Sequence, residues 1–360
     1  MGIIRKVLLL FMLTSTLFLP IACSNNFQTS NLSLCEVKLS KARAHSSAAY
    51  FLSEDGTLYC TGADSDTSSY AVYQDAKRGI VAENVCSFGE LPGGGYYIDK
   101  DQNLYIWNKQ SLPLYKYNDK TKLMQVLENV VFAVAESNYL LYADNSATLY
   151  LVGTFNGETY GIDSPKLLAE DVVCADVNDE MILWAKDDGS IDSYGQVTST
   201  MMAELNAQFM GTCVTEVHME EAFVVVLSNN DLWYYGDYQK LVSGNESKIN
   251  GLMQLGSGMS NVSSSRKTIA ALDNKANVWL WGKCVSNDSQ NTDVPEFTYC
   301  EKFCLAENAT DVFVSDSSIC FVDKNGGSNC FYSTGWPEFY GNSTKDPCVG
   351  INRESSTWVK

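Results

Sequence analysis

The chain has 360 residues, of which 45% are hydrophobic and 12% aromatic, a composition that supplies a large core and excludes a disordered polypeptide. Its formal net charge of −18 at pH 7 argues against DNA, RNA and anionic lipid headgroups as partners, because nucleic-acid binders neutralise phosphates with lysine and arginine. The aromatic excess favours β-strands.

The N-terminus is predicted to be an export signal that spans residues 1–22. Arg5 and Lys6 form a positive region, and the apolar stretch after them is about sixteen residues long, short for a membrane span of ~20. It ends in Ile21-Ala22-Cys23, which resembles the lipobox of bacterial lipoproteins. That resemblance implies a lipid on the Cys23 thiol and a short tether over residues 23–34. An ordinary signal peptide with an incidental cysteine is the alternative. We therefore expect an extracytoplasmic bacterial protein, either secreted or held at the cell membrane only through its lipid.

From residue 35 onward one pattern recurs seven times: an apolar run, a short turn rich in Asp, Asn and Gly, and a second apolar run closed by Gly or Asn. Turns such as Asp55-Gly56 and Asn325-Gly326 are strong hairpin signals. The closing residues lie roughly 41–53 positions apart, a spacing typical of propellers and other repeat folds. They are Gly62, Asn108, Gly153, Gly195, Gly236, Gly282 and Gly335.

A second marker, Glu-Asn-Val or a variant of it, precedes nearly every hairpin and indicates one further strand. It is complete in residues 83–85 and 128–130, and a variable segment such as 164–168 could add an outer fourth strand. Four short antiparallel strands repeated seven times predict an all-β, seven-bladed β-propeller over residues 35–360. The only strong helix candidate covers residues 200–209.

The succession of Val, an apolar strand, Asp-Gly-Thr-Leu-Tyr and Trp-Gly resembles the RCC1 repeat (regulator of chromosome condensation). It is clearest in residues 53–59, 232–236 and 278–282, and it extends over about residues 35–350. The resemblance implies seven four-stranded blades. It does not bring the founding member's nucleotide exchange or nucleosome docking, because this chain is acidic and lacks the basic tail. A secreted bacterial propeller that inhibits β-lactamase through aromatic loop residues is a nearer functional parallel, at the level of fold.

Catalytic motifs are absent from the sequence: it has no nucleophile elbow, P-loop or dinucleotide fingerprint. We expect no enzymatic activity, cofactor or metal. His45 and His218 are isolated and are interpreted as structural, since zinc needs several closely spaced ligands. The cysteines around Cys300 and Cys304 favour disulfides over a metal cluster in an oxidising compartment. Carboxylates from distant blades could still converge, although nothing in the sequence nominates a pair.

Two disulfides are predicted from position. Cys320 and Cys330 lie symmetrically about residues 324–326, so a hairpin with that loop would place them opposite each other. Cys35 and Cys348 lie in short apolar segments at the two ends of the repeat region. They would meet if the chain ends lie side by side to close the ring.

The preferred interpretation is an exported, monomeric, non-catalytic scaffold that binds a protein partner through loops on one face. Trp336, Phe339 and Tyr340 are candidate ligand contacts, unless they only close the last blade. One alternative is an enzyme that acts on extracellular polysaccharide with carboxylates from several blades. The other is a proteinaceous enzyme inhibitor with a dense aromatic patch.

Overall fold

A computed structural model gives the architecture of the chain. It describes residues 38–44, 48–62, 79–91, 94–108, 124–136, 138–247, 251–285, 297–316 and 318–332. These residues form seven antiparallel sheets, and consecutive sheets pack face to face in a closed ring. The predicted seven-bladed β-propeller with four-stranded antiparallel blades is confirmed. Four sheets have four strands, the third blade has five, and the fourth and seventh have three strands among the described residues.

The described parts of the first three blades contain no helix. Blade one comprises β1 (Leu39–Ala44), β2 (Ala48–Ser53), β3 (Leu58–Gly62) and β4 (Gly79–Ala82). Blade two comprises β5 (Val85–Leu91), β6 (Gly94–Asp99), β7 (Leu104–Asn108) and β8 (Met124–Leu127). Blade three comprises β9 (Val130–Glu136), β10 (Tyr139–Asp144), β11 (Leu149–Phe155), β12 (Glu158–Tyr160) and β13 (Lys166–Ala169).

The fourth and fifth blades each carry a helix, and the last two carry none among the described residues. Blade four comprises β14 (Val172–Asn178), β15 (Met181–Lys186), β16 (Ile191–Gly195) and helix α1 (Ser199–Phe209). Blade five comprises β17 (Val214–Met219), β18 (Phe223–Ser228), β19 (Asp231–Gly236), helix α2 (Tyr238–Ser243) and β20 (Gly251–Ser257). Blade six comprises β21 (Met259–Ser265), β22 (Thr268–Asp273), β23 (Val278–Val285) and β24 (Phe297–Ala306). Blade seven comprises β25 (Ala309–Val314), β26 (Ser318–Asp323) and β27 (Ser328–Tyr332).

The core lies between neighbouring blades rather than at one centre. The second strand of each blade is covered on both sides, so it reads as a continuous apolar run; every residue of β18 is buried. Tyr234 of blade five and Trp281 of blade six are each 1% exposed and belong to one apolar cluster. Each blade is therefore stabilised mainly by burial against its two neighbours.

The predicted closing residues occupy equivalent positions in six blades, where each pairs with the first residue of the second strand. The pairs are Gly62–Ala48, Asn108–Gly94, Gly153–Tyr139, Gly195–Met181, Gly236–Phe223 and Gly282–Thr268. In blade seven the equivalent residue is Tyr332, opposite Ser318, so the assignment of Gly335 was wrong by three positions. The error has a physical cause. Gly282 has a φ of 92°, and a Cβ there would collide with the Lys267 carbonyl. Blade seven places a tyrosine at this position, so a search for glycine overshot it.

Helix α1, expected at residues 200–209, takes the place of the outer strand of blade four. Its Asn206 side chain accepts a hydrogen bond from the Ile191 amide (2.9 Å) and donates one to the Ile191 carbonyl (2.7 Å). One side chain thus reproduces the two bonds of a strand neighbour and covers an otherwise open sheet edge. The expected outer strand near residues 164–168 is β13, which pairs with β11.

The ring closes where β1 meets blade seven. The Leu39 amide donates to the Gly326 carbonyl at 3.1 Å, and Arg43 pairs with the largely buried Asp311 at 2.8 Å. Phe51 packs with Cys320 and Val322 in the same interface. Cys35 and Cys348, whose pairing was predicted, lie outside the described residues.

Candidate functional site

On one face of the ring, here called the turn face, backbone hydrogen bonds link each blade to the next. We call this circle of bonds the relay. The turn face carries the hairpin turns and the short turns that lead into each first strand. The Val130 amide donates to the Gln102 carbonyl of the preceding blade (2.9 Å), and the Asn129 carbonyl accepts from Asn145 of its own blade (3.0 Å). The same bonds continue across the closure, where the Leu39 amide donates to the Gly326 carbonyl of blade seven (3.1 Å) and the Lys38 carbonyl accepts from Glu54 of its own blade (2.9 Å). Many polar main-chain groups of this face are therefore already paired.

The Glu-Asn-Val marker owes its form to this relay. Asn84, Asn129 and Asp171 have φ values of 62°, 61° and 61°, in the left-handed region that Asn and Asp tolerate better than most residues. The left-handed residue turns the chain so that its carbonyl and the next amide point to two different hairpins.

The opposite face, here called the loop face, carries the turns between first and second strands and the connections to the outer strands. Strand β11 runs past Gly153 to Phe155, turns at Asn156 and Gly157, and returns as β12. Among the described residues, this extra hairpin and α2 of blade five make the loop face irregular, whereas most blade junctions of the turn face repeat the same backbone bond.

Three side chains meet at the base of the extra hairpin, and we call them the Tyr–Lys cluster: Tyr160 on β12, Lys166 on β13 and Tyr194 on β16. Lys166 Nζ lies 3.1 Å from Tyr160 Oη, and 5.0 and 4.5 Å from the ring centres of Tyr160 and Tyr194. The two hydroxyl oxygens are 3.4 Å apart. Tyr160 also donates to the carboxylate of Glu158.

The cluster shifts the pKa of each of its members. Hydrogen bonds to Tyr194 and Tyr160 raise the pKa of Lys166, so its ammonium stays charged. The bond to Glu158, followed by that to Tyr194, raises the pKa of Tyr160 to about 12. Hydrogen bonds from Tyr160 and Lys166 lower the pKa of Tyr194. The group is thus a fixed positive charge framed by two phenols on an acidic molecule.

Polar side chains of the first strands join neighbouring blades around the central channel. In four successive interfaces a buried or half-buried oxygen accepts a backbone amide of the next blade. The pairs are Asp176–Met219 (2.7 Å), Glu216–Val262 (3.2 Å), Ser263–Val314 (3.1 Å) and Asp311–Ala42 (3.4 Å). These oxygens serve the architecture, since an unpaired buried amide would be costly.

His218 lies among these groups, as a structural histidine would. Its Nε2 is 3.2 Å from a Glu216 carboxylate oxygen. Burial alone would lower the pKa of His218, but the bond to Glu216 and the charge of Asp176 outweigh it, so the pKa is raised. Glu220 accepts from Ser264 Oγ at 2.8 Å, and burial raises its pKa to about 7. Within the described ranges no three His, Cys, Asp or Glu side chains are arranged to hold a metal ion.

The sequence favoured disulfides among the cysteines near Cys300 without naming a pair, and the structure gives one: Cys284 is bonded to Cys300, with Cα atoms 6.2 Å apart. Cys284 lies opposite Thr298, and Cys300 lies opposite Gly282, so the two are diagonal neighbours on β23 and β24. The signal was the cysteine placed two residues after a closing glycine. A long connection separates β23 from β24, so the spacing of the cysteines alone could not show which residue of β24 lies beside Cys284.

The other predicted site residues have mixed outcomes. Cys320 and Cys330 are directly opposed in the register of β26 and β27, as the hairpin argument requires, and the bond between them stays a prediction. Cys23, His45, Trp336, Phe339 and Tyr340 lie outside the described residues. The Tyr–Lys cluster was not foreseen, since its members come from two blades.

A closed ring of seven antiparallel sheets defines a β-propeller. No protein-family model matches the sequence, and no curated protein matches it. Among the described residues, no helix has both the length and the apolarity needed to cross a membrane.

Solved structures share the fold. Human WBSCR16 superimposes with a TM-score of 0.58 at 14% identity, over 78% of this chain and 85% of that one. Prp20p, the RCC1 of Saccharomyces cerevisiae, gives 0.54 at 13% identity over 71% and 73%. The ectodomain of the Physcomitrella patens receptor kinase CR4 gives 0.51 at 11% identity over 82% and 73%. Identities this low show the fold alone, and that fold is the RCC1-like propeller.

Proposed function

We propose that the protein is a non-catalytic propeller scaffold that binds a protein partner through its loop face. The observation that carries the proposal is the difference between the two faces. Backbone groups of the turn face are paired with each other around the ring. The loop face instead presents an extra hairpin, helix α2 and the Tyr–Lys cluster on a rigid frame, the arrangement in which folds place recognition.

Related folds give this use of a propeller a precedent. Prp20p binds Gsp1p and histones, and yeast RCC1 forms a complex with Kap60. We carry over only the use of the propeller as a protein-binding platform. Histones bind nucleic acid and accompany it in the nucleus, whereas this chain is expected to be exported.

The non-catalytic part of the proposal is supported by the channel carboxylates. Asp176 and Glu216 each accept a backbone amide of a neighbouring blade, and Glu220 accepts a serine hydroxyl. All three therefore have a structural bond that accounts for their position in the channel without a catalytic role. Incubation of the protein with cell-envelope and extracellular polysaccharides should release no reducing ends; release that Glu220→Gln abolishes would contradict the proposal.

Photocrosslinking in the native host tests which face binds. A photoreactive amino acid is placed at the exposed loop-face positions 180 or 221, or at the exposed turn-face positions 187 or 275 as matched controls. We expect the same protein adduct from both loop-face positions and none from the controls. Adducts only at positions 187 and 275 would show that the turn face binds.

Export and lipid anchoring belong to the same proposal and are supported by the N-terminal sequence. Cys23→Ala should move the protein from the membrane fraction to the soluble extracytoplasmic fraction and remove the diacylglycerol mass from the N-terminal peptide. Unchanged processing together with unchanged membrane association would contradict the anchor and leave the binding proposal standing.

A further inference from the structure

We propose that the Tyr–Lys cluster anchors a carboxylate of the protein partner. This inference rests on the proposed function and names the contact chemistry of one point on the loop face. The expected contact is a single Asp or Glu side chain on a partner surface that is otherwise neutral or basic.

The ammonium of Lys166 is not neutralised by its own molecule. It donates to a phenol, Tyr160 Oη at 3.1 Å, and no carboxylate of the described chain forms an ion pair with it. Glu158 accepts instead from the Tyr160 hydroxyl. An ammonium carries three N–H donors, of which the two tyrosines engage at most two. At least one donor is therefore left for a partner.

The cluster is held in place before any partner arrives. Lys166 Nζ lies 4.5 Å from the ring centre of Tyr194, and that ring packs at 5.3 Å from the ring of Phe155, which is 1% exposed. A lysine normally loses considerable rotamer freedom on binding, and cation–π contacts here restrict it in advance. Tyrosine is enriched at the residues that dominate binding energy in protein interfaces, and pre-organisation lowers the entropic cost of binding.

The donors at this point match a carboxylate. Tyr160 donates its hydroxyl hydrogen bond to Glu158, so the hydroxyl donor left for a partner is that of Tyr194. The contact of Tyr194 with Tyr160 is long at 3.4 Å and can be exchanged for a shorter bond. Lys166 and Tyr194 together offer a charge-assisted and a neutral hydrogen bond to two oxygens of one carboxylate. The net charge of −18 repels a polyanionic surface, so one isolated carboxylate fits better than an acidic tract.

Zero-length carbodiimide crosslinking tests this contact, because the reagent joins a lysine only to a carboxylate that touches it. The complex of the full chain with the partner found by photocrosslinking is treated, digested and analysed by mass spectrometry. We expect an amide between Lys166 and an Asp or Glu of the partner. A crosslink map in which other lysines react with the partner and Lys166 does not, together with unchanged affinity of Lys166→Met, would overturn the anchor.

Affinity variants give an independent measurement. Lys166→Met should weaken binding about tenfold or more, and Tyr194→Phe, which keeps the ring, should weaken it a few-fold. The control is Lys186→Met, a lysine of blade four near the turn face that pairs with Asp192 at 3.4 Å. Equal affinity of wild type and Lys166→Met, with unchanged melting temperatures, would refute the anchor and leave the scaffold function intact. Failure of the wild type to bind any partner would refute both.

Discussion

Left-handed residues are the smallest features that decide this fold. The third hairpin position is Gly56, Gly189 and Gly326 in three blades, with φ near 80–96°. Two other blades place Ala147 and Ala276 there, at φ values of 60° and 67°. An L-residue with a Cβ is strained in this region by ~1–2 kcal/mol, so these alanines are local weak points that the surrounding relay holds in place.

Replacing such an alanine by glycine should therefore stabilise the protein. We expect Ala276→Gly to raise the free energy of unfolding by ~0.5–1 kcal/mol, the strain relief less the added freedom of the unfolded chain. The reverse change, Gly189→Ala, should lower the free energy of unfolding by more than Ala276→Gly raises it, because its Cβ would meet the Phe209 and Thr212 backbone. Urea denaturation of both variants measures this; a destabilised Ala276→Gly would mean that the turn is not strained.

Glu220 makes the stability depend on pH. Burial raises its pKa from 4.5 to about 7, so the folded state holds this proton more tightly than the unfolded state. The contribution of Glu220 to the free energy of unfolding therefore falls as pH rises from about 4.5 to about 7. His218, whose pKa is also raised, acts in the same direction as pH rises through 6.5. The groups facing Glu220 include Asp176, His218 and Asp316.

Glu220→Gln should remove most of this dependence. We expect it to be more stable than the wild type by about 1–2 kcal/mol at pH 8, after discounting for solvent screening, and nearly equal at pH 4.5. The exposed neighbour Glu221 provides the control, Glu221→Gln, which should follow the wild type. Urea denaturation at both pH values decides; a variant that tracks the wild type across the range would place the pH dependence elsewhere.

At the scale of the element, the blades and their turns could be predicted from the sequence because their signals are local. Turn dipeptides, alternating apolar runs and the Glu-Asn-Val marker lie within a few residues of one another. The features that were missed depend on contacts between distant segments. The Cys284–Cys300 bond needs the register of β24, and the Tyr–Lys cluster needs two blades side by side. The helix over residues 200–209 was expected, but its part in covering β16 was not.

Asn206 is the residue through which that helix replaces a strand. Asn206→Ala should cost about 2 kcal/mol, because the Ile191 amide and carbonyl both lose their partner. Hydrogen exchange should accelerate at Ile191 and its neighbours on β16, more than in distant blades. Gln208→Ala on the exposed side of the same helix is the control and should change neither quantity. Equal exchange in both variants would mean that α1 packs on the blade without protecting its edge.

At the scale of the whole molecule, the contact between Arg43 and Asp311 holds the first and last blades together. Asp311 also accepts from Asn261 of blade six at 3.3 Å. This carboxylate of blade seven therefore bonds to both of its neighbours, blades six and one. Arg43 packs 4.9 Å from the ring centre of Phe313. The closure is thus polar at its centre and apolar around it.

Asp311→Ala should destabilise the ring by about 3 kcal/mol, because it leaves the Arg43 charge and the Ala42 amide without their partner. Arg43→Met with Asp311→Leu should recover part of the loss, since both charges are then gone. Thermal unfolding followed by tryptophan fluorescence gives the comparison. If the single variant melts like the wild type, closure depends on apolar packing alone.

The relay on the turn face has a consequence for the history of the sequence. Its bonds are formed by peptide amides and carbonyls, which nearly every amino acid supplies, so substitutions can accumulate there without breaking the circle. Lys38, Cys213 and Gly258 occupy the position held elsewhere by Asn, and their carbonyls accept from Glu54, Asn229 and Asn274 in the same way. A fold held together in this manner can drift far from its ancestors while its outline persists.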